Sequence, residues 1–148
     1  MNSQYDVIVI GGGHAGCEAC LAASGMGART LLLTMSFDSI GLMPCNPAIG
    51  GLAKGQLVKE IDALGGWMAK AADATAIQFR TLNTKKGPAV RSSRAQVDRH
   101  AYQAYMRAAV EGRECLHVRE GLCDEVIVRG GTVRGIRTSD GRTFCARA

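Results

Sequence analysis

Apolar and polar positions divide the chain into three regimes. Near the start, Val7 to Ile10 is an unbroken β-branched run, and Thr30 to Leu33 is a second apolar segment. Both predict buried strands. Between them lies a stretch of small residues (Ala15, Ala19, Ala22, Ala23) closed by Gly25 and Gly27, which predicts a helix lying close against the sheet. Strand, helix and strand make a βαβ unit over about residues 5–34. Met35 to Gly51 then loses all period. Two prolines and three glycines predict a loop there, and Phe37, Ile40, Leu42, Met43 and Ile49 argue against disorder. A connection of this length reads as a folded loop lying over a ligand site.

The second regime is helical. Leu52, Leu57, Val58, Ile61 and Leu64 form a stripe opposite Lys54, Lys59, Glu60 and Asp62, and Gly65-Gly66 ends the helix. Met68 to Ala76 is alanine-rich and ambiguous. Ile77 to Leu82 predicts a short strand and Asn83 to Pro88 a turn. A third helix is expected from about Arg94 to Val110, with Ala95, Tyr102, Met106 and Val110 facing inward. Loop and helices thus fill about residues 35–111.

In the third regime the period shortens to two. Val126 to Val128, Val133 to Ile136 and Thr143 to Cys145 read as short strands, parted by Gly130-Gly131 and Asp140-Gly141. Those are hairpin turns, so about residues 115–148 form a small antiparallel β meander. A parallel sheet should return from such an insertion with another strand, and none is read before residue 148. The chain is expected to be a truncated, N-terminal part of a longer protein. The fold class is α/β.

The chemistry starts at the first turn. Gly11, Gly13 and Gly16 spell G-x-G-x-x-G between a predicted strand and a predicted helix. The first glycine turns the chain, the second admits a pyrophosphate to the backbone, and the third lets helix and sheet close up. Free N–H groups and the positive end of the helix dipole then receive the phosphates. The plain alternative is a βα turn that binds nothing. An acidic residue is expected at the end of the second strand to hold a ribose hydroxyl. Thr34 stands there, able to make a weaker hydrogen bond.

Composition narrows the class further. The 148 residues suffice for one domain, with ordinary apolar and charged fractions. No apolar run approaches the ~20 residues of a membrane span. The first strand starts within six residues, which leaves no room for a leader, so the chain is expected to stay in the cytoplasm. Six cysteines, at 17, 20, 45, 115, 123 and 145, are expected as thiols. Cys17 and Cys20 form a Cys-x-x-Cys pair, but no second pair of ligands follows, so core packing is the better reading and no metal site is assigned. Cys45 sits between Pro44 and Asn46-Pro47, where no regular element buries it. It reads either as a nucleophile beside a cofactor or as a packed loop thiol.

The net charge of +5 is local. Residues 1–79 sum to −2, residues 80–107 to +6 and residues 108–148 to +1. The block of Arg80, Lys85, Lys86, Arg91, Arg94, Arg99 and Arg107 suits a polyanionic partner, and a solvated face is the alternative.

Several segments are more specific than a nucleotide turn. GGGHAG at 11–16, CNPAIGG at 45–51, KGQLVKEIDALGG at 54–66, QFRTLNTKKGPAVR at 78–91 and RAQVDR at 94–99 resemble the tRNA uridine 5-carboxymethylaminomethyl modification (MnmG, GidA) family. The likeness runs in order from Tyr5 to about Tyr105 and more loosely to the end. It implies a Rossmann-like, glutathione-reductase-type FAD-binding fold, with FAD held non-covalently on the glycine turn. It implies a GTPase partner, MnmE, and attachment of an aminomethyl or carboxymethylaminomethyl group to carbon 5 of the wobble uridine of certain tRNAs. Methylene-tetrahydrofolate and NADH are the implied co-substrates, and the complete protein is expected to be a homodimer. By the same resemblance Gly11, Gly12, Gly13, His14, Ala15 and Gly16 form the FAD pyrophosphate loop, and Cys123 lies where backbone groups hold the adenine end. Cys45 matches a loop cysteine proposed to act in catalysis. The basic block is compatible with tRNA phosphate or with NADH. A piece of this length is expected to be inactive alone. Two other classes stay open: another flavin or nicotinamide oxidoreductase sharing the βαβ unit, and a non-catalytic nucleotide-binding module.

Overall fold

A computed structural model describes residues 4–148, and residues 1–3 of the opening stretch lie outside it. Along the chain come β1 (Val7–Ile10), α1 (His14–Gly25), β2 (Thr30–Thr34), β3 (Ala48–Gly50), α2 (Lys54–Ala63) and α3 (Met68–Thr75). Then follow β4 (Ala76–Leu82), β5 (Ser92–Val97), α4 (Arg99–Glu111), β6 (Leu116–Glu120), β7 (Cys123–Arg129), β8 (Thr132–Thr138) and β9 (Thr143–Cys145). Short 3-10 turns occupy Phe37–Ser39 and Pro88–Val90. The chain divides into two units, one from residues up to Ile40 together with Ala108–Ala148, the other Gly41–Arg107.

The first unit holds a parallel sheet in the order β1-β2-β6. β2 lies in its middle with every residue buried, as a leucine-cored strand flanked on both sides must be. Its partner β6 lies inside the stretch from about 115 that was expected to be antiparallel meander, and is instead a third parallel strand ahead of the meander. Only Leu116 and Val118 alternate in this short strand, too few to stand out from the charged residues around them. On the other edge of β1, Ile8 N donates to Ala148 O at 2.9 Å and Ala148 N to Asp6 O at 3.2 Å, a parallel bonding pattern.

Helix α1 turns Cys17, Cys20, Leu21, Ala23 and Ser24 inward. The two cysteines are fully buried, as core packing requires, and all six cysteines are free. Strands β7, β8 and β9 form the expected antiparallel meander. Gly130 and Gly131 both take positive φ, 59° and 73°, as a two-residue hairpin turn demands. Tyr5, Leu31, Leu33, Ile136, Phe144 and Ala146 form one core shared by parallel sheet and meander, with Ile8 and Cys123 packed on it.

The second unit carries an antiparallel sheet in the order β3-β5-β4, with α2 and α3. Two expectations fail here. The third helix does not begin at Arg94: Ser92–Val97 is β5, paired with β4 along its length. The helix starts only after Asp98, whose Oδ1 accepts from His100 N at 2.9 Å and Ala101 N at 2.8 Å as an N-cap. Ala95 is buried as expected, but from a strand. The leucine stripe of α2 is also not its buried face. Leu57 is 55% exposed and Leu64 90%, while Gly55 is the buried residue. A Cβ on Gly55 would strike Ser92 Oγ and come within 2.8 Å of Ser93 O, so the helix backbone itself lies on β5. The helix ends as expected on Gly65 (φ 92°), with Gly66 N bonded to Ile61 O and Gly65 N to Asp62 O. That pair of bonds is a Schellman cap.

The stretch 35–51 is not a single loop. It contains the 3-10 turn at Phe37–Ser39 and strand β3, and the division between the units falls inside it, after Ile40. The ambiguous alanine-rich segment is helical as α3.

Candidate functional site

The turn between β1 and α1 is built by four glycines with different constraints. Gly11 has φ 101°, a left-handed conformation that side chains resist, and its N–H donates to Leu33 O at 2.7 Å. A Cβ on Gly12 would lie 3.0 Å from Thr34 Oγ1 and 3.1 Å from Ile40 Cγ1, so this position is closed by the end of β2. A Cβ on Gly16 would collide with Gly11 O, which makes Gly16 the point where α1 meets the turn. At Gly11 and Gly13 an added Cβ would meet no protein atom within 4 Å. The turn is packed shut on the protein side and open on the other.

Helix α1 then begins without a side-chain cap. Gly13 is its N-cap in extended backbone (φ −69°, ψ −177°), no side chain caps it, and no acidic residue stands in its first turn. The N–H groups of His14, Ala15 and Gly16 have no intrahelical acceptor by geometry, and the first helical bond runs from Cys17 N to Gly13 O at 2.9 Å. Such an end favours an anion. The residues present therefore fit a dinucleotide diphosphate, with backbone amides as donors and glycine surfaces as walls. His14 is half-buried, and desolvation holds its pKa below the ordinary histidine value, so its ring is neutral near pH 7. Behind the turn, Cys17 Sγ donates to Gly12 O at 3.3 Å. Burial and the neighbouring Cys17 push the Cys20 thiol up to about 12.

Thr34 does not offer the ribose contact read from its position. It is 2% exposed, with Oγ1 3.1 Å from Ser36 O, to which it donates, and 3.0 Å from Ser39 Oγ. The carboxylate at a strand end comes instead from β6: Glu120 Oε1 accepts from Phe37 N at 2.7 Å and fixes the start of the 3-10 turn. Sequence reading missed Glu120 because β6 was not recognised.

Cys123 opens β7 in the same unit as the glycine turn, half-buried against the shared core, with Sγ 3.8 Å from Glu125 O. Cys45 lies in the other unit, exposed, next to Pro44 and Asn46. Of the basic block, Arg80, Lys85, Lys86, Arg91 and Arg94 fall on β4, β5 and the turn joining them, while Arg99 and Arg107 are on α4. Among the described residues no cluster of three or more His, Cys, Asp or Glu could hold a metal ion, and no helix is long and apolar enough to cross a membrane.

Residues 6–148 match the family described as glucose inhibited division protein A. The tRNA uridine 5-carboxymethylaminomethyl modification enzyme MnmG of Syntrophotalea carbinolica is 59% identical over 141 residues, 95% of this chain and 23% of that protein. The enzyme of the same name from Enterococcus faecalis is 56% identical over 145 residues, again 23% of its length. The crystal structure of Aquifex aeolicus GidA superposes with a TM-score of 0.95 at 51% identity, covering 99% of this chain and 24% of that one. Pseudomonas aeruginosa PqsL, at 14% identity and TM-score 0.70, shares the fold. The chain spans about a quarter of the length of these GidA and MnmG relatives. On its α/β architecture and this whole-length match, the chain belongs to the MnmG/GidA family.

Proposed function

We propose that this chain is the FAD-binding portion of a tRNA-modifying flavoprotein. In this reading the complete protein works with the GTPase MnmE. Together they add a carboxymethylaminomethyl or aminomethyl group to carbon 5 of the wobble uridine of certain tRNAs. NADH and methylene-tetrahydrofolate are co-substrates, and the protein acts as a homodimer in the cytoplasm. The observation that carries the reading is the uncapped start of α1 behind a turn that is sealed at Gly12 and Gly16 and open at Gly11 and Gly13. The names of the relatives supply the tRNA uridine.

The division of labour follows from the residues. Backbone groups of Gly11, Gly12 and Gly13 and the first-turn amides of His14, Ala15 and Gly16 hold the diphosphate. Backbone at Cys123 holds the adenine end. Bound FAD supplies the redox chemistry that no side chain of the chain provides. Cys45 is the candidate nucleophile of the other unit. Its thiolate would form a bond to carbon 6 of the uracil, pushing the ring π electrons to carbon 5. Once carbon 5 has taken its substituent and lost its proton, the sulfur–carbon bond breaks and the thiolate leaves. A Cys45→Ser variant of a full-length relative that kept the full tRNA modification rate would remove this role.

The test of flavin binding is Gly13→Val. Backbone at Gly13 is extended and an added Cβ meets no protein atom within 4 Å, so the variant should fold and melt like the parent. It should lose at least tenfold in FAD affinity, read by flavin fluorescence. A parent chain that leaves FAD unbound, or a variant that binds it equally, overturns the assignment.

A further inference from the structure

The sheet of the second unit has two unlike faces. Ile49, Phe79, Ser93 and Ala95 lie on the side covered by α2 and α3, where with residues of those helices they line a cavity of about 300 Å³. The opposite side carries Gln78, Arg80 and Leu82 from β4 and Arg94 and Gln96 from β5, lining a separate polar cavity of about 240 Å³. The register sets Arg80 directly across from Arg94, and Gln78 across from Gln96. Like charges facing each other across a ladder are destabilising. Neither arginine has an ion-pair partner among the described residues, and residues 74–97 contain no Asp or Glu at all. Within that stretch Lys85, Lys86 and Arg91 extend the positive charge along the turn from β4 to β5, all exposed.

We infer that this face is a phosphate-binding site for RNA. The Arg80–Arg94 pair anchors one phosphodiester, Gln78 and Gln96 donate beside it, and the lysines of the turn follow the backbone onward. The inference rests on the tRNA reading above and gives it a place. A guanidinium pair suits the geometry of a phosphate, since each offers a planar fork of donors. A run of several cations in one hairpin suits a polyanion rather than a single small anion. Removing either arginine relieves the like-charge contact, so the fold should lose nothing by it.

The experiment is a tRNA titration of the 148-residue chain by fluorescence anisotropy, repeated from low to moderate salt. The variants are Arg80→Ala, Arg94→Ala, the double change, Arg80→Lys, and Arg134→Ala on the meander as a charge-matched control. Each alanine in the pair should weaken binding about five- to tenfold at low salt and reduce the salt slope by about one. Arg80→Lys should keep the slope but recover only part of the affinity. Melting temperatures of the pair variants should equal or exceed the parent's. Binding of tRNA that is unchanged in the pair variants, or reduced as much by Arg134→Ala, overturns the site while leaving the tRNA reading intact. A parent chain that ignores tRNA but binds NADH in an arginine-dependent way makes the pair a dinucleotide site and overturns the RNA assignment. A parent that binds neither overturns it outright.

Discussion

Gly16 lies with its α-carbon against the carbonyl oxygen of Gly11, so that the space for a side chain at residue 16 is already filled by backbone. Gly11 cannot yield, because its positive φ and its bond to Leu33 O tie it to β2. Helix and turn are therefore one object. Gly16→Ala should destabilise the chain by on the order of 1–3 kcal/mol, the usual cost of overpacking, and should displace the first-turn amides. Thermal melts and FAD titration of this variant should both worsen, whereas Gly13→Val should spare the melt. That contrast separates a packing glycine from a ligand-facing one.

Thr34 sits under Gly12, with its hydroxyl spent on Ser36 O and Ser39 Oγ. Thr34→Val keeps the shape and removes the hydroxyl. Ser36 O retains the Ser39 hydroxyl at 2.6 Å, so no buried acceptor is orphaned and the expected loss is only about 1 kcal/mol. FAD affinity should stay within twofold of the parent. A large loss of flavin with an unchanged melt would restore the ribose role that the strand-end position suggests.

The glycine turn was legible because its residues answer to local rules: a strand, a positive φ, a helix start. Val7–Ile10, α1 and β2 fall where the apolar pattern puts them. The failures have a common cause in contacts distant along the chain. Ala95, Tyr102, Met106 and Val110 share a helical spacing, yet pairing with β4 holds Ala95 in a strand. Asp98 marks the true boundary, and an aspartate ahead of a helical stripe is a signal that could have been read. On α2 the leucines advertise a buried stripe, but a glycine sets the approach, and no periodicity of apolar residues reports that. Arg80 and Arg94 are adjacent only through the register of β4 and β5, so their pairing was invisible although their charges were not.

The six thiols should divide by access. Cys45 is exposed and should react first with a maleimide, while Cys17 and Cys20, fully buried, should stay unlabelled until the chain unfolds. Peptide mapping after timed labelling reads the order. The same burial gives an alkaline weakness. In the folded chain the Cys20 thiol ionises only near 12, against 9.0 for an ordinary one, so only the unfolded state sheds this proton in between. The stability due to the neutral thiol is complete below about pH 9 and is lost progressively towards pH 12. Cys20→Ala, measured by denaturant unfolding, should be less stable near neutrality and should decline less steeply above pH 9. An equal decline in both chains would assign the alkaline loss elsewhere.

Asp140 closes the β8–β9 turn through three contacts to two neighbours. It accepts from the Thr138 hydroxyl at 2.5 Å and from Arg142 Nε at 2.7 Å, and pairs with Arg142 Nη2 at 2.6 Å. The same guanidinium donates to Glu120 O at 2.9 Å, so the turn is tied to the end of β6, just ahead of the backbone proposed to hold the adenine end. Hydrogen bonds from Arg142 and Thr138 hold the Asp140 carboxyl well below the usual carboxylate range. Because its folded pKa lies below its unfolded value of about 3.9, the contribution is present above that pH and is lost as acid protonates the group. Thermal melts from pH 6 downward should show the parent losing an increment below about pH 4 that Asp140→Asn lacks at every pH. The site is solvent-exposed, so the increment is small and should shrink in high salt. Parallel pH profiles for parent and variant would mean that the ion pair at the turn is ornamental and that Arg142 holds the end of β6 without it.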